Sequence, residues 1–195
     1  MKYSKKIYNY YMNKSFKKKI SVFIFLIIVY LISLPSYYSY LPTIPIYDNN
    51  EAYEVEKITQ NRDENMIHFF KLTDRSISHA FSNHVKESVH DLDIIIDNAY
   101  FIIMFFKLII NRPRPYQINN NIDYYDTSTG KTPAMPAGHA FQAYYLSKIL
   151  SKKYPKKKEL FEEIAKKCDD CRVYAGIHYP SDGKLSKQIV DLLYF

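Results

Sequence analysis

Residues 91–115 run DLDIIIDNAYFIIMFFKLIINRPRP, and they admit two very different proteins. Residues 91–110 are the most apolar part of the chain after its N-terminal region. As a membrane span they would make this a multi-pass protein. However, they carry Asp91, Asp93, Asp97 and Lys107, and ionised side chains are costly at the bilayer centre. The stretch therefore predicts a central, buried helix of a water-filled-side domain rather than a span. The prolines of RPRP end it, because proline lacks the N–H a helix needs and restricts the residue before it.

The surroundings read the same way. EAYEVEKITQN, from Glu51, opens with acids, which suits a helix N-terminus. Residues 63–89 place apolar side chains at helical spacing. Residues 116–135 are polar, Asn-rich and loop-like. A helix follows in GHAFQAYYLSKILSKK, and Pro155 starts another. That second helix sets Leu160, Ile164, Cys168, Cys171 and Ala175 on one face. A short helix, DGKLSKQIVDLLYF, closes the chain. No alternating strand pattern appears, so the fold class is all-α.

The charge is unevenly placed. The net charge is +7, and residues 1–19 hold seven lysines and no acid. The remainder balances 20 basic against 20 acidic residues, so the excess is a tail and not a basic domain. That excludes nucleic acid as the expected partner. ISVFIFLIIVYLISL, residues 20–34, is apolar and uncharged. Lysines on one flank read as a signal anchor whose tail stays cytoplasmic, with a cleaved signal peptide as the rival. The expected organisation is a basic cytoplasmic tail (1–19), a transmembrane signal anchor (20–40), a linker (41–50) and a helical domain (51–195). The catalytic domain would be extracytosolic, or secreted if the segment is cleaved.

Cys168 and Cys171 form a CxxC. No βαβ pattern surrounds them, and two thiols make no zinc site, so they read as small buried residues. Lysines 156–158 read as a solvated face. GKT at Gly130 mimics the end of a P-loop, but residue 125 is Tyr, so the loop's first glycine is missing. No metal site is expected, and His79, His84 and His90 do not align on a helix.

Three short constellations carry chemistry. Lys107 and Arg114 are seven apart, which puts two cations at the end of one helix. Gly138 and His139, in PAGH, begin the next helix, where backbone N–H groups favour an anion. In CRVYAGIHYPSD, Arg172 offers a fork that fits phosphate, and His178 and Asp182 are four apart. That spacing lets the carboxylate hold one imidazole nitrogen and aim the other.

Taken together these read K-x6-RP, P-x-GH and R-x5-H-x3-D. The pattern resembles the phosphatidic acid phosphatase type 2 and vanadium haloperoxidase superfamily, most nearly its bacterial-type non-specific acid phosphatases. Lys107, Arg114, Pro115, Pro136, Gly138, His139, Arg172, His178 and Asp182 match in order. The resemblance spans roughly residues 51–190 and is strongest after Lys107. It implies a compact helical bundle and metal-independent hydrolysis of phosphate monoesters through a phosphohistidine. His178 would be the nucleophile, His139 the general acid and base, and Asp182 the residue that orients His178. Lys107, Arg114, Gly138 and Arg172 would bind phosphate. No cofactor is implied, and vanadate would act as an inhibitor or phosphate mimic. The substrate would be a small phosphomonoester or a lipid phosphate.

Two positions depart from the pattern. Ala137 stands where the family usually has Ser, and the missing hydroxyl removes a phosphate donor worth about 1.5–3 kcal/mol. Cys171 replaces another usual Ser and reads as structural. The alternatives are a lipid phosphate phosphatase at the bilayer, a vanadate-dependent haloperoxidase and an inactive membrane interaction protein.

Overall fold

The computed structural model describes residues 24, 25, 27, 28, 47–127 and 130–194. The chain divides into two units, residues 1–35 and 36–195. Of the first, the described residues Ile24, Phe25, Ile27 and Ile28 are helical. The rest of the expected tail, anchor and linker lies outside the described residues as far as Ile46. Among the described residues no helix is long and apolar enough to cross a membrane.

Among its described residues the second unit consists of helices and the loops that join them, with no strand. Its α-helices in chain order are α1 (Glu51–Gln60), α2 (Glu64–Thr73), α3 (Ser78–Phe81), α4 (Val89–Asp97), α5 (Tyr100–Ile110), α6 (Pro115–Ile118), α7 (Gly138–Lys153), α8 (Lys158–Tyr174) and α9 (Pro180–Leu193). Local chemistry sets their starts. The Asp63 side chain accepts the Asn65 N–H ahead of α2 at 2.8 Å. Ser88 and Asp91 form a reciprocal capping box on α4. Pro180 supplies a preset φ at the first position of α9.

Two expectations for residues 91–110 need correction. The stretch is two helices, not one. The Asn98 side chain donates to the carbonyls of Ile94 and Ile95, closing α4 before α5 begins. Nor is it the central helix. That place belongs to α7, which buries Phe141, Tyr144, Tyr145, Leu146 and Leu150 around its circumference. Helix α7 packs along α8, and α9, α4 and the 3₁₀ turn Pro155–Lys157 close around it. Helices α2 and α1 lie on α8. The α5 helix buries Ile103, Met104, Lys107 and Ile110 but turns Phe101, Phe105 and Ile109 outward. It ends at Asn111, whose left-handed backbone (φ 49°) lets its N–H return to the Lys107 carbonyl at 2.8 Å. The closing helix starts at Pro180, two residues before the expected Asp182.

Cys168 and Cys171 are both free and buried in α8, and burial pushes both thiols above their ordinary pKa. Lys156, Lys157 and Lys158 are exposed.

Two glycines are demanded by the packing that places the site. Gly176 has φ +76°, and a Cβ there would lie 2.9 Å from the Asp123 carbonyl oxygen. This is the turn that takes the chain from α8 to His178. At Gly183, in the first turn of α9, a Cβ would fall 1.8 Å from Asp169 Oδ1. Asp169 is buried and receives the Tyr144 hydroxyl at 2.9 Å, and burial lifts its carboxyl to about 7. It cannot move aside without breaking that bond. Gly183→Ala is therefore expected to destabilise the fold by about 1–3 kcal/mol in urea titration. Adding Asp169→Ala should recover part of that loss. A Gly183→Ala protein as stable as wild type would mean that Asp169 is free to turn away.

Candidate active site

The seven residues singled out in the sequence come from five helices and the loops between them. Lys107 lies in the last turn of α5, and Arg114 caps the start of α6. Gly138 and His139 open α7, and Arg172 lies in the last turn of α8. His178 sits between α8 and α9, and Asp182 lies in the first turn of α9. Lys107, Arg114, Arg172, His178 and Asp182 are buried, while Gly138 and His139 are partly exposed.

The centre of the group is a His–Asp pair. His178 Nδ1 is 2.9 Å from Asp182 Oδ2, so it donates to the carboxylate and leaves Nε2 with its lone pair. The same oxygen accepts the Tyr179 backbone N–H at 3.0 Å. Asp182 thus caps α9 and holds the imidazole at once. Burial raises its carboxyl pKa, and Arg112 opposes that rise. Arg114 Nη1 lies 3.0 Å from His178 Nε2 and donates to the Ile177 carbonyl at 2.7 Å. The guanidinium therefore rests on the lone pair that an electrophile would need.

The cations are held largely by neutral oxygens. Lys107 Nζ donates to the carbonyls of Pro133 and Ala134. Arg114 Nε donates to the Thr132 carbonyl at 2.9 Å. Arg172 Nη2 donates to the carbonyl and hydroxyl of Thr73 at 2.8 and 2.9 Å. Its Nη1 is 3.6 Å from Asp74 Oδ1. Among the described residues Arg172 Nε and Nη1 are buried with no hydrogen-bond partner. Buried donors of this kind are costly unless something accepts from them. Burial, with Arg114 beside it, holds the Lys107 ammonium well below its ordinary pKa. A bound anion would relieve both.

The two imidazoles are similarly placed. Burial depresses the His139 pKa well below the ordinary range, reinforced by Arg172 and His178. Burial also depresses His178, reinforced by Arg114 and Lys107. These couplings place His139, His178, Arg172 and Lys107 in one field. His139 Nε2 is 3.0 Å from the Asp74 carbonyl oxygen, so that nitrogen carries the proton and donates.

Ala137 is the N-cap of α7 and gives no side-chain hydrogen bond to its first turn. The end of a 16-residue helix is therefore presented without a side-chain cap. A Cβ at Gly138 would meet Ile103 and Lys107 at ordinary contact distances of 3.6 and 3.7 Å. The neighbouring protein atoms therefore do not require glycine there.

Arg112 joins this candidate site although its spacing does not single it out. It is completely buried, and Nη1 donates to Asp182 Oδ1 at 2.8 Å and to Ser181 Oγ at 2.6 Å. Nη2 donates to Glu51 Oε2 and the Asp48 carbonyl, each at 2.7 Å. Its guanidinium stacks 3.5 Å from the Tyr179 ring centroid. Nor does spacing reveal Thr73 and Asp74, which meet Arg172 and His139 mainly through backbone carbonyls. Among the described residues no three His, Cys, Asp or Glu side chains gather to hold a metal. A cavity of about 950 Å³ among α7, α8 and α9 is lined by Tyr144, Asp169 and Lys184 and by none of the residues above.

No family model matches the chain, and no curated protein matches it. A solved structure does. It is the first transmembrane PAP2 type phosphatidylglycerolphosphate phosphatase from Bacillus subtilis, similar over 87% of this chain and 93% of that one, at 18% identity and a TM-score of 0.46.

Proposed function

We propose that this protein is a phosphatase that hydrolyses phosphate monoesters through a phosphohistidine, without a metal. One observation carries the reading: buried cations surround a histidine whose Nδ1 is held by a carboxylate and whose Nε2 faces a guanidinium. Such a group is built for an anion with an electrophilic centre.

A phosphoryl group entering the site would take the donors of Lys107, Arg114 and Arg172 and the N–H groups at Gly138. Arg114 would move from His178 Nε2 onto a phosphoryl oxygen, which uncovers the lone pair as the substrate arrives. His178 Nε2 then forms the N–P bond as the P–O bond to the leaving group breaks. His139, protonated, delivers its proton to the leaving oxygen. Water next attacks phosphorus, His139 takes its proton, and the N–P pair returns to Nε2. Asp182 stabilises the charge on the imidazole throughout. The lysine and arginines supply the charge that a metal supplies elsewhere. The domain would work on the non-cytosolic side of a membrane that the N-terminal segment anchors.

The pH dependence follows from the depressed imidazoles. His139 must start protonated, and its free-enzyme pKa lies below the ordinary 6.5. The kcat/KM profile is therefore expected to fall as pH rises through that pKa, with an optimum below about 6.5. Stability runs the other way. In the unfolded chain both imidazoles protonate near 6.5, whereas the folded ones resist until lower pH. The unfolded state then binds more protons, so the fold loses stability as pH falls below about 6.5. Bound phosphate should offset that loss.

The test is p-nitrophenyl phosphate hydrolysis by the full chain from acid to neutral pH, with chelator present and with or without vanadate. Mass spectrometry of the acid-labile, alkali-stable phosphoenzyme then locates the phosphoryl group. Chelator-resistant turnover, inhibition by vanadate and phosphate on His178 are expected. A folded protein that turns over no phosphate ester, lipid phosphates included, even as Ala137→Ser, would sink the proposal.

A further inference from the structure

A helix at a water-facing surface carries polar side chains on its outer side. Helix α5 does not. Its sequence, YFIIMFFKLII, holds one charge, and that residue, Lys107, is turned inward. The outer side presents Phe101, Phe105 and Ile109, spaced four apart, with exposures of 72%, 55% and 37%. Tyr100 is exposed beside them and meets Phe101 edge to face. An apolar stripe of this kind marks a contact surface.

We infer that this outer side of α5 docks the domain on the surface of a lipid bilayer. The size of the stripe argues against a second copy. An 11-residue helix is about 16 Å long and offers on the order of 300 Å² per copy, against about 800 Å² per partner in a stable interface. The helix is also too short to span a membrane, which takes about 20 residues. What fits is an interfacial helix lying flat, its aromatic side chains at the boundary of headgroups and acyl chains. The inference rests on the N-terminal anchor proposed above, which would supply the bilayer. Seven lysines precede the uncharged apolar residues 20–34, and twelve residues link Leu34 to Tyr47. Twelve extended residues reach at most roughly 40 Å, so a membrane holding residues 20–34 is never far from the domain. Docking adds a second, weaker contact that would fix which side of the domain faces the lipid.

The protein has no tryptophan, so a single introduced Trp reports from one place. Full-length Phe105→Trp would be reconstituted into vesicles of phosphatidylcholine and phosphatidylglycerol, the former brominated near the top of one acyl chain. Bromine quenches only an indole that reaches the chains. About twofold quenching relative to unbrominated vesicles, with a blue-shifted emission, is expected. The same chain carrying Tyr53→Trp instead, an exposed position on α1, should stay unquenched. Absence of quenching at Phe105→Trp would overturn the inference, whether the indole then faces water or lies under residues 20–34 or another copy. Equal quenching at both positions would also overturn it. The readout needs no catalysis, so it stands or falls separately from the phosphatase reading.

Discussion

His178→Ala is expected to lower kcat for phosphate monoesters by about 10⁴-fold or more while leaving the fold nearly intact. The loss is large because no neighbour can substitute. His139 Nε2 is committed to the Asp74 carbonyl, and the buried thiols of Cys168 and Cys171 are held protonated in α8. Stability should change little because the partners of His178 keep other bonds. Asp182 retains Arg112 and the Tyr179 N–H, and Arg114 retains the Ile177 carbonyl. The variant also loses an imidazole that resists protonation, so its stability should fall less steeply below pH 6.5 than that of wild type. Steady-state kinetics beside thermal unfolding at two pH values checks all three statements. A folded His178→Ala protein within tenfold of wild-type kcat would remove His178 as nucleophile.

The sequence brings out much of the candidate site, and for a physical reason. Side chains that converge on one small space must leave their elements at particular points, so their spacing is constrained. Lys107 at a helix end, His139 at a helix start, and His178 four residues before Asp182 across a proline are such points. Groups that act through the backbone leave no such trace. Thr73 and Asp74 serve Arg172 and His139 mostly with carbonyl oxygens, which any residue could offer. The places of α5 and α7 in the fold are hidden from the sequence for a related reason. Hydrophobicity records what a side chain could bury, not what covers it. Helix α7 mixes Ala, Tyr, Ser and Lys and is still surrounded, because small and amphipathic residues let α4, α8 and α9 approach. Helix α5 is far more apolar and has one side uncovered among the described residues. Its separation from α4 falls at Asp97 and Asn98, two polar residues between apolar runs, where the Asn98 side chain turns back onto the last carbonyls of α4.

Arg112 shows how little a local motif says about a buried ion pair. RPRP offers two arginines, and the spacing from Lys107 selects only Arg114. The structure gives Arg112 the supporting role on the far side of Asp182. Arg112→Met is expected to destabilise the fold by about 3–5 kcal/mol at neutral pH, because it strands the Asp182 charge without its counterion. For a domain of this size that is roughly a 10 °C fall in Tm. The pH dependence identifies the cause. Without Arg112 the already raised Asp182 pKa in the fold rises further, while the unfolded chain ionises near 3.8. Above that value the unfolded state then holds fewer protons, so the variant's deficit grows with pH and shrinks towards pH 4. A lost packing contact alone would show no such slope. Arg112→Lys should rescue little, since one ammonium cannot serve Asp182, Ser181, Glu51 and the Asp48 carbonyl from two nitrogens set apart in a plane. Activity should fall with stability in both variants, because the carboxylate that aims His178 is no longer held from behind. Chemical unfolding of wild type and both variants at pH 4 and 7 decides it. A deficit below about 1 kcal/mol, or one independent of pH, would mean that Asp182 does not depend on Arg112 for its charge.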